Sequence, residues 1–452
     1  MVGPGLHRPR RRRAAGRLRR EGRVHVQGDW RAIARRRGLM HVLRVQDPFR
    51  RGQLAIAALF CTLGFQYATW AARIPAIKAH LGLTAGEVGL LLMATGVGAA
   101  VSFPLVTMLM RRLGSQRLAL LSSTCLALLL IPLAVVPNYP VALAIMLCDG
   151  VLVGCLNVSM NAQGAALEVR HGRNAMAKLH ATFSAGSLGA ALLASAMNAV
   201  NPAVIAHFGA AAAVLLLLVV YARQGLPEGE GPAADEPETQ AAGTGTKARS
   251  RWTLPTRMTL WMCCAMAFGT VTEGAMNDWS ALYMKDVAKA SAELAPMGIA
   301  VVSGMMVLAR LFADGWRSRW GDGRIVRVGS AVAGVGLALA LLTGGAVPAL
   351  IGFACVGLGI AAVTPCVYVA AAAQGAEALT LVAAMGTTGL LGGPPLIGFV
   401  ANSAGLVWGL GAVACCALVV TLCATRIRWT GHAAAAGAPA AAGPVGEEQA
   451  VH

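Results

Sequence analysis

Glu273 lies deep inside the apolar stretch that runs from Met258 to Met284. A lone carboxyl in a low-dielectric setting can exchange a proton near neutral pH, which makes this residue a proton-coupling candidate. A structural ion pair with Arg73 accounts for it equally well. Asp149 is a second carboxyl within an apolar stretch and a second proton-coupling candidate. Around these acids, polar residues recur at the spacing of one helical face. Gln66, Trp70 and Arg73 stand at i, i+4 and i+7, while Asn157 with Asn161, Glu273 with Asn277, and Thr364 with Tyr368 stand at i, i+4. Unpaired polar groups are costly in hydrocarbon, so such faces turn inward. There the amides could hydrogen-bond a hydroxylated solute, Arg73 could grip an anion or hydroxyls through its planar fork, and Trp70 could stack on a sugar ring. Each has a plainer alternative: Arg73 snorkelling to an interface, Trp70 anchoring there, and the Asn pairs bridging helices. Asp278 reads as an end-of-helix cap or a partner of Lys285. His180 fits a gating hydrogen bond better than a metal site, because no ligand partner is spaced around it.

Residues of this kind need a scaffold that keeps them from bulk water. Apolar residues make up 56% of the 452 and charged residues 13%, with a mean hydropathy of +0.62. A soluble domain carries about 25% charged residues to solvate its surface, so much of this surface must face lipid. Crossing a hydrocarbon core of roughly 30 Å takes about 20 apolar residues in a helix. Stretches of that kind run Gln53–Ile74, Val88–Met110, Leu118–Val136, Val141–Ala166, Leu179–Ala199 and Val204–Tyr221. After a polar gap they resume at Met258–Met284, Leu294–Ala313, Ile325–Leu342, Val347–Ala370, Leu379–Ala401 and Leu406–Ala424. The expectation is an all-α integral membrane protein of about twelve transmembrane helices, with eleven left open by the Gly- and Ala-rich last segments.

The formal net charge of +18 does not point to nucleic acid, because the first 51 residues hold sixteen Arg against three acids. An organellar presequence, a basic tail on anionic lipid, or translation starting at Met40 each explain that bias. All eleven Cys fall in apolar segments without a C-x-x-C pair, so core filling is the expected role and no metal is implied. Loops after even-numbered helices, with the C-terminal tail, contain sixteen Lys and Arg; the opposite loops contain Lys78, Lys285 and Lys289. The positive-inside bias therefore puts both termini in the cytoplasm.

The chain divides into a basic tail over residues 1–52, six helices over 53–222, a Pro-, Gly- and acid-rich linker over 223–257, six helices over 258–425, and an Ala/Gly/Pro-rich tail over 426–452. The two membrane parts repeat one another. Trp70 and Trp279 are 209 apart, Gly114 and Gly321 are 207 apart, and Gln163-Gly164-Ala165 precedes Gln374-Gly375-Ala376 by 211. Three matches in the same order at nearly constant offset support two pseudo-symmetric six-helix halves.

Several segments carry a family resemblance. They are Trp70-Ala71-Ala72-Arg73-Ile74-Pro75-Ala76-Ile77, Met160-Asn161-Ala162-Gln163-Gly164-Ala165-Ala166, His180-Ala181-Thr182-Phe183-Ser184-Ala185-Gly186, Glu273-Gly274-Ala275-Met276-Asn277-Asp278-Trp279-Ser280 and Gly393-Pro394-Pro395-Leu396-Ile397-Gly398. In collinear order over about residues 50–425 the chain resembles the major facilitator superfamily (MFS), and within it the bacterial YbjJ-type and MosC-like (rhizopine transport) branch. The superfamily's loop after helix two usually carries an acid where Arg111 stands, while the loop after helix eight keeps Asp314 and Arg319. The branch often has an acid where this chain has Asn157.

The resemblance implies an MFS fold in which helices one, four, seven and ten line a central cavity, the same helices that bear the polar pairs. It implies gating or latch roles for Arg112, Gly114, His180, Asp314 and Arg319. It further implies a secondary active transporter of a small polar solute, sugar-like or related, monomeric, multi-pass in the inner cell membrane, drawing on a proton gradient without a cofactor. An exporter of the same superfamily is the first alternative, although Gly186-Ser187-Leu188-Gly189 lacks the Pro that follows in the antiporter signature. A non-transporting membrane sensor is the second. No H-E-x-x-H, G-x-S-x-G or P-loop pattern supports an enzyme. Gly386, Gly389, Gly392, Gly393, Pro394 and Pro395 are expected to break up helix eleven as a gate or binding element, with a static kink as the plainer alternative.

Overall fold

The computed structural model describes Gly3, residues 47–226 apart from Asn174, and residues 255–429. Most of the basic N-terminal tail, of the 223–257 linker and of the C-terminal tail lies outside these residues. Thirteen helices follow one another without a strand among the described residues: α1 (Pro48–Ala71), α2 (Ile74–Leu81), α3 (Ala85–Ala134), α4 (Tyr139–His171), α5 (Met176–Val200), α6 (Val204–Gly225), α7 (Arg257–Asp286), α8 (Met297–Trp320), α9 (Asp322–Thr343), α10 (Ala346–Ile360), α11 (Val363–Ala372), α12 (Ala376–Ala404) and α13 (Leu406–Arg426).

Among the described residues twelve helical segments emerge once the breaks are respected, and nine helices are long and apolar enough to cross a membrane, α7 and α8 not among them. α2 continues α1 after a turn at Ala72 and Arg73, and α11 continues α10 after Ala361 and Ala362. The 50-residue α3 is two helices meeting at Gly114, whose φ of 75° and ψ of 162° no helix contains. Gly321, between α8 and α9, has nearly the same angles, φ 77° and ψ 151°. The repeat read from sequence is therefore also a repeat of backbone shape. α7 is the least apolar of the long helices, since it carries Glu273, Asn277 and Asp278.

Local chemistry fixes the ends. Thr84 and Glu87 form a reciprocal capping box at the start of α3, Asn138 Oδ1 accepts from Val141 N at 3.1 Å, and Thr256 Oγ1 accepts from Thr259 N at 3.1 Å. Glu168, late in α4, accepts from Ala175 N at 2.5 Å and Met176 N at 2.8 Å, which satisfies orphan donors at the start of α5.

Helices in lipid gain little from apolar burial against each other, so close backbone contact through small residues holds them together. A Cβ on Gly150 of α4 would stand 1.8 Å from the Thr95 carbonyl oxygen of α3. A Cβ on Gly64 of α1 would stand 2.0 Å from the Phe183 oxygen of α5, and in the second half one on Gly389 of α12 would stand 2.4 Å from the Ala267 oxygen of α7. Outward-facing Leu217, Leu342 and Leu422 remain well exposed, as a lipid-contacting belt requires.

α12 departs from expectation. It runs unbroken through Gly386–Pro395, with both prolines inside the helix. Thr270 Oγ1 donates to Gly386 O at 3.0 Å, and Gly398 lies against Gly89 of α3, so the glycines serve close approach rather than a break.

Candidate functional site

The polar residues gather in four groups. The first joins three helices: Arg310 Nη2 of α8 lies 3.2 Å from Glu273 Oε1 of α7, and Arg310 Nη1 donates to Ser184 Oγ of α5. A cation and a carboxylate of one half thus meet a hydroxyl of the other. His180, one turn before Ser184, lies within electrostatic reach of Arg310 and packs edge-on to Phe60 at 5.0 Å. The Arg310 and Glu273 side chains keep 18% and 24% of their surface exposed, enough for both to reach a solute.

The second group lies on consecutive residues of α1. Gln66 Nε2 donates to Asp149 Oδ1 of α4 at 2.6 Å, within the first half. Tyr67 donates its hydroxyl to Asp278 of α7, across the halves. Gln66 and Tyr67, adjacent on α1, thus each hold a carboxyl group, one from α4 and one from α7. Trp70 packs edge-on against Tyr67 at 4.9 Å and is buried, as is Trp279. Neither indole nitrogen has a partner.

The third group ties the halves at one end of the bundle. Lys78 Nζ meets Asp286 Oδ2 at 2.6 Å, Ser195 Oγ donates to Glu293 O at 2.5 Å, and Asn198 Nδ2 donates to Ala292 O at 2.7 Å. Behind this seal is the fourth group. Arg73 Nε donates to His207 Nδ1 at 3.0 Å, and its Nη1 donates to Pro202 O at 3.0 Å.

The remaining candidates are placed as follows. Asn157 is exposed on α4 and accepts at Oδ1 from Asn161 Nδ2 at 2.9 Å. Asn277 turns back on its own helix, donating to Glu273 O at 3.1 Å. Thr364 and Tyr368 are half-buried neighbours on α11. Arg112 and Arg319 are exposed beside the corners at Gly114 and Gly321. Asp314 falls in α8, with its side chain outside the described residues. Near those corners, Arg317 grips Asp322 at 2.8 and 3.1 Å, and Gln163 Nε2 donates to Ser115 Oγ at 2.5 Å. Among the described residues no cluster of His, Cys, Asp and Glu could hold a metal.

Two pairings differ from those weighed in the sequence. Glu273 pairs with Arg310 rather than Arg73, and Asp278 takes Tyr67 rather than Lys285. Arg310 carried a readable signal, being the sole charged residue of the apolar stretch Leu294–Ala313. Tyr67 and His207 had none, since their partners lie 211 and 134 residues away.

Comparison with known proteins adds the family. The Major Facilitator Superfamily model matches residues 5–167 and 54–377. An uncharacterized MFS-type transporter of Yersinia pestis is 30% identical over 382 residues, 83% of this chain and 95% of the relative. Membrane protein MosC of Rhizobium meliloti is 27% identical over 377 residues, 81% of this chain and 89% of the relative. The crystal structure of the nucleoside transporter NupG superposes with a TM-score of 0.62 at 16% identity, covering 84% of this chain and 99% of that one. That of a bacterial homolog of the human lysosomal transporter Spinster, inward-facing and occupied, gives 0.63 at 14%, covering 85% and 99%. At such identities the last two show likeness of fold.

Proposed function

The chain belongs to the Major Facilitator Superfamily of membrane transporters, and from that premise we propose that it moves a small polar solute by alternating access, driven by a proton gradient. The observation that carries this reading is the Ser184–Arg310–Glu273 chain between the halves. Its carboxylate accepts from solute hydroxyls or amines while its guanidinium donates to solute oxygens, which suits sugar-like compounds and related metabolites. Because Arg310 holds Ser184 in one half and Glu273 in the other, a solute that takes over either bond changes how the halves are held. Asn157, Asn161, Thr364 and Tyr368 supply further donors and acceptors on the lining helices.

In this reading the end sealed by Lys78 and Asp286 is the outer face and both termini are cytoplasmic, following the basic loops. The protein works as a monomer in the inner membrane and needs no cofactor.

The test is flux of labelled sugars, polyols, amino acids and nucleosides into proteoliposomes, with and without a pH gradient. Accumulation that collapses with the gradient supports proton-linked uptake. Efflux of apolar cations alone would favour the exporter, and binding without flux would favour a sensor.

A further inference from the structure

We propose that Asp149 carries a proton on Oδ2 and donates it to Gln66 Oε1, and that this cyclic acid–amide pair is the proton-binding site of the protein. The inference rests on the proton-linked reading above and assigns its proton to one of the two candidate acids.

Gln66 Nε2 donates to Asp149 Oδ1 at 2.6 Å. The other oxygen of each group, Gln66 Oε1 and Asp149 Oδ2, is buried without a hydrogen-bond partner. The residues are 0% and 2% exposed, so water does not reach them from the surface. While the carboxyl is ionised both of these oxygens are acceptors, and neither can satisfy the other. A negative charge would also stand out of water against one neutral donor, with no ion pair to Asp149 among the described residues. A single proton on Oδ2 removes the charge and turns that oxygen into a donor. The amide then gives one hydrogen bond and receives one, so every polar side-chain atom of the pair is used.

The other acids are balanced differently. Glu273 is paired with the Arg310 guanidinium at 3.2 Å. Asp278 accepts from Tyr67, and Asp322 takes two bonds from Arg317. The titratable group that α1 presents beside Asp149 is Tyr67, which Asp278 and Glu273 of α7 also influence. α3, packed on the neighbouring Gly150, presents the uncharged Thr95 there. The step makes and breaks only the Oδ2–H bond, and the other proton carrier is water that reaches Asp149 when the halves part. Loss of that proton breaks the bond to Gln66 Oε1 and leaves only the one from Nε2; Gln66 is the residue next to the Tyr67 that spans the halves, so proton occupancy and the seam meet on one turn of α1.

Infrared difference spectroscopy of the purified full chain reads the proton directly. The expected result is a protonated-carboxyl C=O band that vanishes in Asp149→Asn and shifts in Gln66→Leu. Asp149→Asn keeps a donor in place of the Oδ2–H group, so the fold is retained. A band that persists unchanged in Asp149→Asn, or the absence of any such band in the wild type below neutral pH, overturns the proposal. So does a band that disappears when sodium replaces choline, since a metal ion would then own the site. In proteoliposomes Asp149→Asn should lose gradient-driven accumulation; undiminished accumulation overturns the assignment. A wild type that moves no solute sinks the transport reading instead, while the infrared band still decides the proton site.

Discussion

Arg310 of α8 reaches Glu273 of its own half at 3.2 Å and Ser184 of the opposite half with its other terminal nitrogen. Removing the guanidinium strands a carboxylate that is three-quarters buried. Arg310→Ala should destabilise the protein by about 1–3 kcal/mol, the usual cost of a buried group left without its partner. Adding Glu273→Gln should recover part of that loss. Thermal unfolding of the three variants in one detergent checks the order, and equal melting temperatures for the single and wild type would refute it.

Tyr67 supplies the hydroxyl that Asp278 accepts across the halves. Tyr67→Phe keeps the ring against Trp70 and deletes only that bond, at about 1–3 kcal/mol. The closed seam should loosen. A cysteine placed at Ser195 should then react faster with a membrane-impermeant maleimide than in the wild-type background.

The Lys78–Asp286 pair is partly exposed, at 26% and 37% of the side chains. Exposed pairs contribute about 0–1 kcal/mol, so Lys78→Met should barely alter unfolding. Its effect belongs to opening. Cysteines at both positions, in a background lacking the native eleven, should be joined by a short bifunctional maleimide, with loss of flux on cross-linking. Flux that survives complete cross-linking would show that this end need not open.

Gly150 admits no side chain, since a Cβ there would meet the Thr95 oxygen at 1.8 Å. Gly150→Ala must spread α3 from α4 and should cost about 1–3 kcal/mol, read as loss of monodisperse protein. Gly392, also helical, has nothing within 4 Å of such a Cβ. Gly392→Ala should leave stability unchanged or raise it by up to about 1 kcal/mol. Equal behaviour of the two variants would refute the packing argument.

The passes were legible in the sequence because hydropathy over one helix length is a local property. Their ends were less so: α4 runs to His171 and α8 to Trp320, past the apolar stretches that end at Ala166 and Ala313, since amphipathic turns stay helical beyond the hydrocarbon. The break after Ile360 falls at Ala361 and Ala362, where Pro365 removes the hydrogen bond to the Ala361 carbonyl, whereas the Gly/Pro run of α12 stays helical because α7 and α3 pack into it. Spacing likewise told which residues share a face, as with Gln66 and Trp70. It could not tell which helix faces them, and so Glu273 was set against Arg73 while Arg310 went unused. Partner choice is settled by three-dimensional packing, and no helical period encodes it. Most of the linker between the halves lies outside the described residues, so its expected character bears on none of this.

The matching corners at Gly114 and Gly321 have a mechanical consequence. Both hold backbone angles open only to glycine, and each joins two long helices without a spacer. A junction that short and that restricted transmits torque rather than absorbing it. The second and third helices of each half should therefore turn as a stiff bracket, and the compliance that a moving protein needs must reside elsewhere, at the breaks after Ala71 and Ile360.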